Sequence, residues 1–278
     1  WIEETDIDGW RLDTVHYLEP GFVRSVRSAA RAIKEEAYVM GEVMGPAASW
    51  FKSGSLDGVM NYELYELLLE FLVRGGRDAR EFKRELYFLR RSYPEWANFS
   101  NYNLLGSHDR PRLMTLCDED VDLFKEAYFF LFTLPGTPAI YYGDEIGMEG
   151  WDDPDCRRPY PWDQDRYGKG LIDYFRSLIN LRKEEPALRR GSFRELSADE
   201  SIFSYSRTMG DEMVIGAVNS ASESRTHRID VKGFTGSSDP ELIFGRGSFS
   251  IRDKKIVFRL PGRGYILLKL NSSTTRRD

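Results

Sequence analysis

Over the first 190 residues, short apolar runs alternate with stretches of helical period. "DIDGWRL" at 6–12 reads as a short strand in which Ile7, Trp10 and Leu12 nearly alternate with polar neighbours, and Asp13 falls where that strand would leave its sheet. A helix-like segment from Gly21 to Glu36 follows, then the apolar run "AYVMGEV" at 37–43. "SLDGVMNYEL" at 55–64 begins a third strand and passes into amphipathic helices over 62–93. "NYNLLGSHD" at 101–109 makes a fourth strand, Asp120 to Leu134 a helix, and "TPAIYYGDE" at 137–145 a fifth strand. One more long helix is expected from Gly170 to Glu185. Strands separated by helices predict parallel β/α units, and acidic residues at several strand ends predict a barrel with one functional mouth.

After "PALRRGSF" the pattern changes. "SIFSYSRT", "MVIGAVNS", "IVFRL" and "GYILLKL" are short alternating strands broken by Gly, Ser, Asp and Asn, with no helical period between them. The expected organisation is therefore a barrel domain over 1–190 and an all-β sandwich domain over 191–278, with a frayed tail "NSSTTRRD". The chain has no internal repeat and no low-complexity segment.

Composition narrows the function classes. With 278 residues, 41% hydrophobic and 30% charged, the chain can bury a sizeable core. A net charge of -6 and a pI near 5.4 argue against a nucleic-acid backbone or an anionic membrane surface as main partner, and suit a neutral ligand. No run approaches the roughly 18 apolar residues of a membrane span. Cys117 and Cys156 are too few for a disulfide framework and read as free thiols. Without CxxC or HExxH spacing, and with three histidines, no His/Cys metal site is expected. No secretory signal is visible, although a chain opening on "WIEET" need not display its natural start; the expected location is the cytoplasm.

The chemistry concentrates at the strand ends. Asp13 and Glu42 are 29 residues apart, about one strand–helix–strand unit, so their carboxylates are expected side by side at the same mouth. Such a pair suits glycoside hydrolysis with retention, where one carboxylate attacks the anomeric carbon and the other acid protonates the leaving oxygen. Arg11, two residues before Asp13, shares its strand face and can hold it as carboxylate. Glu42 lies in the apolar run "VMGEVMG", a setting that suits a proton donor. In "SHDRPR" at 107–112, His108 can donate to sugar hydroxyls and Asp109 can accept from two of them. Each feature also has a structural reading: an acid after a strand caps a helix, a glutamate in an apolar run forms a salt bridge, and a His-Asp pair makes a turn. Spacing alone leaves both open.

"DGWRLD", "GEV" and "LLGSHD", in this order, resemble the second, third and fourth signature regions of the α-amylase family of glycoside hydrolases. "TLPGTPAIYYGDEIGMEGWDDPDCRRPYPWD" at 133–163 resembles the segment after the eighth barrel strand, most of all in the neopullulanase, cyclomaltodextrinase and maltogenic amylase subgroup. The similarity covers essentially the whole chain. It implies an α/β fold, the C-terminal portion of a (β/α)8 TIM barrel followed by an all-β sandwich. It implies that Asp13 is the nucleophile, Glu42 the general acid/base and Asp109 the third carboxylate, with Arg11 and His108 in support. The implied activity is retaining hydrolysis of α-1,4 bonds, with α-1,6 bonds as an option, in cyclodextrins, maltooligosaccharides or pullulan, without a cofactor and with transglycosylation as a competing outcome.

The chain departs from that pattern where sugars would be fitted. His16 and Tyr17 stand where the subgroup usually has Asn-Glu, and Met44 where relatives commonly carry a stacking tryptophan. Asp153 and Arg157 match an acidic and basic pair used on the non-reducing side of the cut, or form a surface ion pair; Trp151 is a sugar platform or a packed loop residue. The family's first strands, an inserted domain and its first motif would precede "WIEET", so the resemblance implies a preceding segment or companion chain. Family calcium sites belong largely to that part, and no metal is predicted from these residues. A homodimer is compatible with the pattern. The alternatives are an α-glucosidase or trehalose-forming relative, a non-catalytic glycan-binding module, and a transporter-associated barrel; the three carboxylates and the lack of a membrane helix speak against the last.

Overall fold

A computed structural model describes residues 1–162, 170–230, 240–253 and 255–271. It divides into two compact units, one of residues 1–67, 86–104 and 136–139, the other of 68–85, 105–135 and 140–278. Residues 272–278 of the expected frayed tail and the last residue of the 133–163 segment lie outside the described residues.

In chain order the elements of the first part are α1 (Ile2–Thr5), β1 (Gly9–Leu12), α2 (Pro20–Ile33), β2 (Tyr38–Val43), α3 (Ala48–Lys52), β3 (Gly58–Asn61), α4 (Tyr62–Leu68), α5 (Ala79–Ser92), α6 (Ala97–Ser100), β4 (Tyr102–Asn103), α7 (Leu113–Leu116), α8 (Val121–Thr133) and β5 (Thr137–Pro138). All five strands run parallel, in the order β1-β2-β3-β4-β5. The spatial order follows the chain order without the part-way reversal of a doubly wound sheet. Val39, Val59, Val15, Val23 and Leu56 belong to the core of this unit. Asp57 locks helix α2 to it: Arg27 and Arg31 reach Asp57 Oδ1 at 2.7 and 2.8 Å, and the amide of Val39 donates to its other oxygen at 3.0 Å.

Over 62–93 the expected helices form as two pieces: α4 continues into one turn of π-helix, Leu69–Val73, and α5 starts afresh at Ala79. Asp78 and Glu81 form a reciprocal cap there, each carboxylate accepting the other's backbone N–H, at 2.8 and 3.1 Å. The strand expected over 101–109 pairs only at Tyr102–Asn103. That expected over 137–145 pairs only at Thr137–Pro138, and Asp144–Ile146 is a turn of 3-10 helix. The buried Arg112 draws off this second run by binding the Tyr142 carbonyl and the Asp144 carboxylate. Helix α8 forms as expected, Asp120 capping its start by accepting the amides of Asp122 and Leu123.

Two helices, α9 (Leu171–Glu184) and α10 (Pro186–Arg190), lead to the strands β6 (Ser192–Ala198), β7 (Ile202–Met209), β8 (Glu212–Asn219), β9 (Arg225–Asp230), β10 (Glu241–Gly245), β11 (Ser248–Arg252), β12 (Lys255–Leu260) and β13 (Tyr265–Asn271). They make two antiparallel sheets, ordered β10-β13-β8-β7-β6 and β11-β12-β9. Ile202, Ile215, Ala217 and Ile266 of the larger sheet share a core with Ile229, Ile256 and Phe258 of the smaller. Strand β7 is buried on both faces: Phe203 and Tyr205 turn to the helices, where Phe203 meets Phe82 at 5.1 Å and Phe130 at 5.8 Å, and Phe82 stacks on Phe71 at 4.4 Å. Cys117 and Cys156 are free and buried. Among the described residues no helix is long and apolar enough to cross a membrane.

Phe82 is fully buried at the centre of that ring cluster. Phe82→Ala is expected to cost about 3–5 kcal/mol by lost transfer energy and the cavity left behind. Urea unfolding checks this, and an unchanged midpoint would refute it.

Candidate active site

The first group of candidate side chains stands at the ends of β1 and β2. Arg11 pairs with Met40 and Leu12 with Gly41, an offset of 29 that carries one step further to Asp13 beside Glu42. Side chains two apart share a sheet face, so Arg11, Asp13 and Glu42 converge. The Arg11 guanidinium binds Asp13 Oδ1 through one nitrogen and Glu42 Oε1 at 3.0 Å through another. Thr14 takes a left-handed conformation, φ 41°, uncommon for a β-branched residue, and its amide donates to Glu42 Oε2 at 2.9 Å. Gly41 is required between them: a Cβ there would lie 2.6 Å from Leu56 and 2.7 Å from Val15.

The two carboxylates differ in setting. The Asp13 side chain is 72% exposed, whereas Glu42 is 2% exposed. The apolar setting expected for Glu42 is only half of the picture, since one oxygen accepts the Thr14 amide and the other is ion-paired with Arg11. His16 and Tyr17 lie on the 3-10 turn Val15–Tyr17, where Val15 is the buried anchor, with their rings 4.2 Å apart. Tyr17 and Met44 are exposed.

The second group belongs to the other unit, on the loops 105–112 and 150–158. Asp109 accepts from Arg157 at 3.0 Å and stands 3.0 Å from His108 Nε2. The same Arg157 reaches Asp153 at 2.9 Å and donates to the His108 carbonyl at 2.8 Å. One guanidinium thus links Asp109 with Asp153. Trp151 is exposed, its amide held by Asp155 at 2.7 Å.

Beneath these loops is a buried set that sequence reasoning did not single out. Arg112 has no exposed surface; it donates to the Cys156 carbonyl at 2.9 Å, approaches Asp144 at 3.4 Å, and has Tyr141 and Tyr142 against its faces at 4.3 and 4.7 Å. Tyr128 donates to the other oxygen of Asp144. Burial pushes the Asp144 carboxyl up to about 6, while Tyr128 and Arg112 hold it back from going higher. Gly106 of "LLGSHD" makes room for this acid, because a Cβ there would be 2.7 Å from Asp144 Oδ2. Arg112 and Asp144 both lay within runs noted in the sequence, "SHDRPR" and "YYGDE", but only the packed loops reveal the pairing.

Residues 1–170 match the family described as α-amylase, catalytic domain. This match spans more than half of the chain, and the chain belongs to the α-amylase family. It is 38% identical over 274 residues to a cyclomaltodextrinase of Geobacillus thermopakistaniensis, covering 98% of this chain and 46% of that protein. It is 35% identical over 269 residues to neopullulanase 2 of Thermoactinomyces vulgaris, covering 96% and 46%. The structure of a debranching enzyme from Nostoc punctiforme in its native form superposes with a TM-score of 0.85 at 32% identity, covering 94% of this chain and 58% of that one. The chain spans less than half the length of the first two relatives.

Asp144 supplies a pH test. Its folded pKa, about 6, lies above the usual carboxylate value of 3.8, so the folded state holds a proton that the unfolded state has lost between those values. Stability from this group is complete below about pH 4 and falls as pH rises through 6, by about 3 kcal/mol in all. Asp144→Asn is expected to flatten the loss between pH 4 and 6 in denaturant titrations; an identical slope in both proteins would contradict the assignment.

Proposed function

We propose that the chain carries the catalytic residues of a retaining α-glucan hydrolase, with cyclodextrins, maltooligosaccharides or pullulan as substrates and α-1,4 bonds as the main target. The observation that carries this reading is the single Arg11 guanidinium bound to both Asp13 and Glu42 at neighbouring parallel strand ends. Family membership and the names of the relatives support it. The sequential parallel sheet also supports a (β/α)8 barrel, and the shared core of the two antiparallel sheets supports a sandwich after residue 190.

In this mechanism Asp13, exposed and aimed by Arg11, attacks the anomeric carbon while Glu42 gives its proton to the leaving oxygen. Glu42 then takes a proton from water, which releases the sugar from Asp13. By the family resemblance Asp109 and His108 bind sugar hydroxyls and favour a distorted ring, and Arg157 holds Asp109 in place. His16, Tyr17 and Met44 face the leaving-group sugar, and Asp153 with Arg157 borders the non-reducing side. No cofactor enters.

Glu42→Gln is expected to lower maltotriose hydrolysis by on the order of a hundredfold or more, with a smaller loss on substrates bearing activated leaving groups. Asp13→Asn removes the nucleophile, and a fluorosugar trap followed by mass spectrometry is expected to label Asp13 in the parent protein and nothing in the variant. Near-parental turnover by Glu42→Gln, or an adduct on another residue, would overturn the assignments.

Exposed Met44 replaces an aromatic sugar platform by a flexible thioether. Met44→Trp is expected to raise the ratio of transfer to hydrolysis products from maltotriose, read by chromatography. An unchanged ratio would remove this residue from the acceptor side.

A further inference from the structure

We propose that the rim of the small sheet β11-β12-β9 holds a binding site for a phosphate group carried by a small molecule. A cavity of about 570 Å³ lies at that rim, within the roughly 300–1,000 Å³ range of small-ligand sites. Arg225, Arg246 and Arg259 line it together with the hydroxyl-bearing Ser224, Thr226 and Ser248. Its lining contains no acid and no aromatic ring. A neutral sugar is usually held by stacking on aromatic rings, which are missing here, whereas guanidinium forks and hydroxyl donors match the oxygens of a phosphate.

The sheet register makes this a built surface. Arg259 on β12 lies directly between Ser248 on β11 and Thr226 on β9, so the three side chains share one face in a row. The next rows on that face bring Arg228 opposite Val257, and Arg252 and Lys255 beside Asp230. A basic approach therefore leads to the cavity in a chain whose net charge is -6. Two of the lining arginines have acidic neighbours, Arg246 with Asp122 and Arg225 with Glu223 at 2.9 Å. The Arg225–Glu223 pair is a surface pair of the weak, solvent-screened kind, the Glu223 side chain being 70% exposed. Among the described residues Arg259 is exposed and has no acidic partner. Arg259 supplies the uncompensated charge that an anion would neutralise.

None of these residues is assigned to sugar cleavage, so the site stands or falls separately from that reading. Isothermal titration calorimetry of the full chain at constant ionic strength tests it, with inorganic phosphate and glucose 6-phosphate as probes and maltose as the neutral control. Saturable one-site binding of inorganic phosphate is expected, weakened at least tenfold by Arg259→Gln, while thermal unfolding and maltotriose hydrolysis stay at parental levels. Tighter binding of glucose 6-phosphate than of inorganic phosphate would identify a sugar phosphate as the source, and equal or weaker binding the free ion. Lack of saturable binding, displacement of phosphate by maltose, or an affinity untouched by both Arg259→Gln and the Arg225→Gln/Arg259→Gln double variant would overturn the proposal.

Discussion

Parallel strand pairing is the constraint from which the Asp13–Glu42 arrangement follows. Strands that all run the same way bring the same ends to one edge of the sheet, so whatever follows β1 meets whatever ends β2. The register then makes Asp13 and Glu42 neighbours, and two carboxylates held this close repel unless a cation intervenes. Arg11 is on the right face to do so, since it sits one pleat period before Asp13. Gly41 and the left-handed Thr14 are local consequences: one lets Val15 and Leu56 close against the strand, and the other turns a backbone amide toward Glu42.

The second unit uses buried arginines in a different way. Arg112 and Arg207 have no exposed surface, and most of their partners are backbone carbonyls. Arg207 donates to the Gly191 carbonyl at 3.0 and 3.1 Å and to the Thr133 carbonyl at 2.9 Å. Burying a guanidinium costs desolvation energy, so such contacts add little net stability, but removing a carbonyl partner would strand a charge. They therefore define where chain segments lie. Arg112 fixes the loop bearing His108 and Asp109 against the loop bearing Asp153 and Arg157, and the exposed Arg157 completes the link between the two acids.

Much of this was legible in the sequence where one element carries its own signal. Helix α8 has a cap and a long apolar run, strands β7, β8, β12 and β13 alternate strongly, and the groupings Arg11–Asp13–Glu42 and His108–Asp109 come from spacing within and between strands. What escaped depends on partners distant in the chain. Strands β4 and β5 lie within the runs expected as strands, but their pairing is cut to two residues each, and β9 and β11 carry Arg, Thr and Ser on a solvent face that reads as loop. The Arg112–Asp144–Tyr128 set joins residues up to 32 positions apart, and a buried arginine looks in sequence like any surface arginine. The cap at Asp78 and Glu81 was readable in principle, being a spacing of three residues, yet the amphipathic period on both sides concealed it.

Strand β7 belongs to two cores at once. Ile202 helps to fill the space between the sheets, while Phe203, Tyr205 and Arg207 engage α8, Phe82 and the turn at Gly191. A recombination event that exchanged the β-strands for those of another relative would have to bring matching residues on α8 and the 68–85 segment with them. Packing of the late strands is thereby coupled to a helix more than sixty residues earlier in the chain.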